Sequence, residues 1–184
     1  MQTALKDILQ NKYIICSCEG VAESAIIKLL LKAEKLCFKE CDLVGHEVTR
    51  IRKAEEISET FLKQEYTREI VILRIVDREK DNFQLPKIYR LKHNINVINI
   101  VTKPEIEIVH IIAENLRNEF ERKKRSDKNL KPNSFCKAHI DKNIKSEVFI
   151  EKMYGDNIEK LINAIKQYAS ASNQSSYCLN DLLI

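Results

Sequence analysis

The sequence predicts an α/β fold: a small parallel four-stranded sheet flanked by helices, followed by a helical C-terminal extension. Three observations predict it. Apolar, β-branched runs occur at residues 12–18, 69–76 and 94–101, with a fourth, alternating run at 46–51. Stretches with helical spacing of apolar residues separate them, which is the pattern of crossover connections in a parallel sheet. Beyond residue 102 strand-like runs stop and helical periodicity continues to the end. The division that follows is an α/β core over residues 1–112 and a helical extension over 113–184 packed on it.

Residues 3–10 read as a short helix and 12–18 as the first strand, and 22–36 form a helix with Ala25, Ile26, Leu29, Leu30 and Ala33 inward. The alternating run 46–51 (HEVTRI) is the second strand, and residues 53–65 a helix with Ala54, Ile57, Phe61 and Leu62 on its apolar face. The run 69–76 (EIVILRIV) suits a strand covered on both faces. A proline at position 86 starts a short helix, because its missing N–H costs nothing in a first turn. The fourth strand is 94–101. One long helix spans 104 to about 124, three shorter ones cover 132–141, 146–153 and 156–169, and an apolar tail after a polar linker docks on the body.

Composition narrows the function. Three glycines leave no glycine-rich phosphate cradle, and no Walker loop, dinucleotide fingerprint or Gly-x-Ser-x-Gly elbow occurs. ATPase, Rossmann oxidoreductase and esterase readings therefore lack support. No run approaches the roughly 18 apolar residues of a membrane span. The N-terminal residues lack the shape of a signal peptide, so a cytoplasmic, reducing location is expected, with six free cysteines. A zinc site is weighed against small buried thiols, and the thiols are favoured. Cys16 and Cys18 are read as pointing to opposite faces of the first strand, and Cys136 and Cys178 have no local partner. None of the four histidines has metalloprotease spacing, although His110 follows Glu107 by three residues.

The chemistry is expected at the carboxyl ends of the strands, where open α/β sheets bind ligands. The first strand runs into Glu19-Gly20, with Glu23 one turn into the next helix. The third runs into Asp77, Glu79 and Asp81, and the fourth into Glu105 and Glu107. Carboxylates meeting at one rim repel unless a cation intervenes, and hard oxygen ligands suit Mg²⁺ or Mn²⁺. The alternative is that these acids only favour the first turns of helices. Arg50, Arg52 and Lys53 stand where a phosphate at the rim is within reach. The run Arg122-Lys123-Lys124-Arg125, with Lys128 and Lys131, is a phosphate-neutralising patch or a solvated face.

The strand, the Glu19-Gly20-Val-Ala-Glu23 turn into a helix, and the later strand ending in an acidic cluster resemble the Toprim fold of topoisomerases, primases and small metal-dependent nucleases. The spelling is nearest the OLD-type nucleases, and the resemblance covers roughly residues 10–110. It implies a Mg²⁺- or Mn²⁺-dependent nuclease acting on DNA or RNA, in bacterial defence or mobile-element biology. Glu19 and Glu23 would be catalytic, and Glu19, Asp77, Glu79, Asp81 and Glu107 would hold metal. The family's Asp-x-Asp here reads Asp77-Arg78-Glu79-Lys80-Asp81, with a longer acid in the second place and Arg78 beside it. Those cations either hold substrate phosphates or neutralise the acids. The resemblance equally admits a non-catalytic module that binds a partner protein or nucleic acid. The C-terminal helices complete the core or form a homodimer or partner face, and no membrane is involved.

Overall fold

A computed structural model describes residues 4–78, 82–93, 95–102, 106–170 and 176–184. Its centre is a parallel sheet of three strands, β1 (Tyr13–Cys18), β2 (Ile70–Val76) and β3 (Asn96–Val101), in that order. The register pairs Ile15 with Ile72 and Ile72 with Val97. The helices are α1 (Leu5–Leu9), α2 (Val21–Lys32), α3 (Ala54–Phe61), α4 (Lys87–His93), α5 (Glu107–Ala113), α6 (Arg117–Ser126), α7 (Pro132–His139), α8 (Glu147–Tyr154) and α9 (Ile158–Ser170).

Alternation along each strand divides the core between two faces. On one face Ile14, Cys16 and Cys18 of β1, Val71, Leu73 and Ile75 of β2, and Ile98 and Ile100 of β3 pack against α2, α5, α8 and α9. Buried aliphatic side chains of this kind each contribute roughly 1.5–3 kcal/mol. On the other face Ile15, Ile70 and Ile72 meet Ala54, Ile57 and Leu62 of the α3 segment. The tail closes the main core: Leu179 and Leu182 are buried, and Leu36 bridges Leu183. Helices α8 and α9 and the tail thus share one core with the sheet, whereas α6 and α7 pack in a smaller cluster against Ile111 of α5.

Three expectations are corrected. No strand forms at 46–51 among the described residues. The segment does run along β1, where Thr49 N donates to the Cys16 carbonyl and Cys18 N to the Thr49 carbonyl, both at 2.9 Å. It makes only isolated parallel bridges, Ile14 to Leu43 and Ser17 to Thr49. A tight turn at Val44–His46 lies between these two bridges, with Gly45 at φ 73° and His46 at φ 55°. Left-handed backbone of that kind cannot continue a β ladder.

The single long helix after residue 104 is instead two. Asn115 takes φ 58° between α5 and α6, and Leu116 N closes back on the Ile111 carbonyl. Asparagine tolerates that conformation, so the helix ends without glycine or proline. The β2 run is buried on both faces as expected, Arg74 included at 5% exposure. Finally, Cys16 and Cys18 face the same side of β1, as residues two apart must. Among the described residues all six cysteines are free thiols, and no helix is long and apolar enough to cross a membrane.

Candidate active site at the sheet rim

Each acid at the rim is placed by the element that carries it. Glu19 continues β1, its N–H donating to the Ile75 carbonyl at 2.9 Å. Its Oε2 accepts from the Asp77 backbone N–H at 3.0 Å, so a carboxylate from β1 is locked to the end of β2. Arg52 lies 3.9 Å from the other oxygen of Glu19. The Asp77 side chain itself is half exposed, and Arg78 Nε stands 3.8 Å from it.

Gly20 begins α2, and the Glu23 side chain folds back over it. A Cβ at position 20 would collide with the Glu23 carboxylate. A side chain at position 20 would therefore push the Glu23 carboxylate aside, while the backbone, at an ordinary extended φ of −127°, makes no demand for glycine. Burial pushes the Glu23 carboxyl above the usual range, the Glu107 and Glu19 charges push it further, and Lys145 opposes them. Glu23 thus sits within electrostatic reach of the other two acids. Replacing Gly20 with Ala should displace the Glu23 carboxylate and lower its titration midpoint, read by NMR. The far end of a flexible side chain moves cheaply, so the stability loss should stay within about 1 kcal/mol, the scale of a glycine-to-alanine change at a helix cap.

Glu107 opens α5 and is 1% exposed. Its Oε1 receives Lys145 Nζ at 2.7 Å and Asn133 Nδ2 at 3.0 Å. Its Oε2 is buried and accepts no hydrogen bond among the described residues. A buried carboxylate oxygen normally has a donor or a cation, so this atom is an unmet demand at the rim. The residues on Oε1 come from α7 and from the turn before α8, so the helical extension helps build the rim.

On the opposite face of the sheet the rim carries a polar row in strict register, Ser17, Arg74 and Asn99. Ser17 Oγ donates to the Ile51 carbonyl at 2.6 Å, and Arg74 donates to Asn99 Oδ1 at 3.3 Å. The Arg74 guanidinium covers the Phe83 ring at 4.0 Å. Ser17, Arg74 and Phe83, with Glu19, Arg52 and Lys53, line a crevice of about 340 Å³. A larger hollow, about 980 Å³, lies between α1, the end of α2 and residues 36–48, and none of the rim acids lines it. Volume alone therefore does not mark the chemistry.

The structure brings together Glu19, Glu23, Glu107 and Arg52, with Asp77 joined to Glu19 through its backbone. Glu79, Asp81 and Glu105 lie outside the described residues. Lys53 turns along its own helix to Glu56 at 3.2 Å, and Arg50 is exposed with no described partner. Arg122, Lys123, Lys124 and Arg125 lie on α6, and Lys123 pairs with Glu119 at 3.0 Å. Among the described residues no three His, Cys, Asp or Glu side chains stand close enough to enclose an ion. Glu19, Glu23 and Glu107 are each turned to a different neighbour.

Three residues at the rim went unread in the sequence: Arg74, Asn133 and Lys145. Arg74 had a signal, a lone cation in an aliphatic strand. The other two are joined to Glu107 only by tertiary packing. Fold and rim together define a class, an α/β protein with a three-stranded parallel sheet and carboxylates and cations at the carboxyl ends of its strands. No family model, no curated protein and no solved structure matches the chain.

Proposed function

We propose that the protein is a Mg²⁺- or Mn²⁺-dependent nuclease that hydrolyses phosphodiester bonds of DNA or RNA, a Toprim-like enzyme of bacterial defence or mobile elements. One observation carries the reading: Glu107 buries a carboxylate oxygen that has no donor, beside two further acids at the carboxyl ends of parallel strands. Hard divalent cations meet that demand. Glu19 and Glu107 would hold the ion, with Asp77, Glu79 and Asp81 as the further acids the resemblance assigns. A bound ion of this kind supplies Lewis-acid polarisation of a phosphoryl oxygen and lowers the pKa of water.

The chain's own groups supply the rest. Glu19 accepts the proton of the attacking water as the new P–O bond forms. Glu23, whose carboxyl holds its proton to higher pH than usual, gives a proton to the leaving oxygen as the old P–O bond breaks. Arg52 and Lys145 offset charge on the non-bridging oxygens.

A second reading, a non-catalytic module that binds nucleic acid or a partner protein, draws support from the same acids being turned to separate neighbours. Nicking of supercoiled plasmid and cleavage of structured RNA, followed against Mg²⁺ and Mn²⁺, decide between them. The nuclease reading expects metal-dependent cleavage that Glu19→Gln lowers by at least about 100-fold, the scale of losing one preorganised charged group. Cleavage unaffected by Glu19→Gln, or no metal-dependent cleavage in either assay, would overturn the assignment.

A further inference from the structure

We propose that residues 117–145, helix α6, helix α7 and the turns that follow each of them, form a docking surface for a nucleic-acid duplex, gripped through its phosphates and led to the rim. This rests on the phosphodiester reading only for where the duplex is led. The segment carries ten lysines and arginines against four acids, a net +6, on a chain whose total formal charge is +4. The remaining residues are therefore net acidic, and the positive field is confined to one lobe.

The lobe's construction points its charge outward. Phe120, Phe135, Cys136 and Ile144 form a small apolar core with Ile111 of α5. Arg122, Arg125, Lys128, Lys131, Lys137 and Lys142 are all exposed. Lys123 is held by Glu119 and Lys145 by Glu107, whereas those six meet no carboxylate among the described residues. Like charges gathered in one segment repel, and a polyanion relieves that repulsion.

The occupant is identified by what the lobe lacks. Single strands are gripped by stacking bases on exposed aromatic rings. Phe120 and Phe135 are each 1% exposed, and the His139 ring already stacks on Phe135 at 4.2 Å. The lobe therefore exposes no phenylalanine, tyrosine or tryptophan ring, and its one exposed ring, His139, is already stacked on Phe135. A duplex presents phosphates at one per roughly 1.7 Å of axis, and α6, at about 15 Å, spans enough of them to engage several cations at once. The surface also joins the rim physically, because α7 supplies Asn133 to Glu107 and the turn after it supplies Lys145.

The test is fluorescence anisotropy of the full chain with a 20-base-pair DNA duplex, the matching RNA duplex and a single strand, between 50 and 200 mM NaCl. The duplexes should bind more tightly than the single strand, with a log–log salt slope between about −4 and −7. Changing Arg125, Lys128, Lys131 and Lys137 together to Gln should weaken duplex binding by at least about 100-fold and make the slope shallower by 3 to 4. The same charge change at exposed Lys39, Lys63, Lys87 and Lys166 should have less than a threefold effect, which separates a local surface from overall charge. Circular dichroism checks that both variants fold, and single Gln variants at Lys128 and Lys137 replace the quadruple one if it does not.

Equal weakening by both quadruple variants, tighter binding of the single strand, or binding to anionic vesicles in place of duplex would overturn the proposal. Duplex binding that responds as expected in a protein that never cleaves leaves the lobe standing and removes the nuclease reading. Cleavage with unchanged duplex affinity in the lobe variant does the reverse.

Discussion

Replacing Glu107 with Gln should abolish most metal-dependent cleavage while leaving the fold in place. The substitution keeps the side chain's shape and the hydrogen bond from Asn133, and it removes the negative charge opposite Lys145. Lys145 is about half exposed and swings into water when its partner is neutral, so the usual cost of stranding a buried charge largely does not arise. The stability loss should therefore fall near 1–2 kcal/mol, the range for losing one charge-assisted contact. The catalytic loss should be on the order of 10²-fold or more, since the group that most needs a cation is gone.

A second readout of Glu107→Gln does not depend on activity. The Glu107 charge helps hold the Glu23 carboxyl above its ordinary range. With that charge removed, the Glu23 midpoint should fall in an NMR titration. Wild-type cleavage in the Gln variant would remove Glu107 from the metal site. An unmoved Glu23 midpoint would show that the two acids are not electrically joined.

The parts of this site differ in how far they could be read from the sequence. Glu19-Gly20 was legible because strand, acid and turn are adjacent in the chain, and adjacency determines where they sit. The three sheet strands were legible for the same reason: 13–18, 70–76 and 96–101 are runs of β-branched residues long enough to exclude other readings. The segment 46–51 alternates like a strand, but Gly45 and His46 decide the matter through backbone angles that alternation does not encode. Asn115 ends a helix by a conformation many sequences allow at that residue type and few require. Lys145 and Asn133 were out of reach because only packing of α5 against α7 brings them to Glu107. Arg74 shows a different failure. Its run was read correctly as a strand covered on both faces, but no role was drawn for the one cation within it, near the carboxyl end of the strand.

The pH dependence of stability should show one large histidine term directly beneath this site. His110 follows Glu107 by one turn of α5, is fully buried, and shares a 2.7 Å hydrogen bond between its Nδ1 and the Tyr154 hydroxyl. Burial drives its pKa down to about 4, against the partial opposition of the Glu107 and Glu114 carboxylates. Burial also pushes the Tyr154 hydroxyl up, so Tyr154 stays neutral throughout. The unfolded chain takes up the proton near the ordinary histidine value of about 6.5. The folded chain refuses it until about pH 4. Above 6.5 the histidine is neutral in both states and costs nothing. As pH falls through that window the unfolded state binds more protons, and stability drops toward a total loss of about 3 kcal/mol, of which about 1.5 kcal/mol falls between pH 6.5 and 5. Urea unfolding at those two pH values measures it, and His110→Gln should flatten the slope by close to one proton. An unchanged slope in that variant would mean that the ring protonates in place. Because α5 carries Glu107 and His110 on adjacent turns, acid that opens this helix also dismantles the rim.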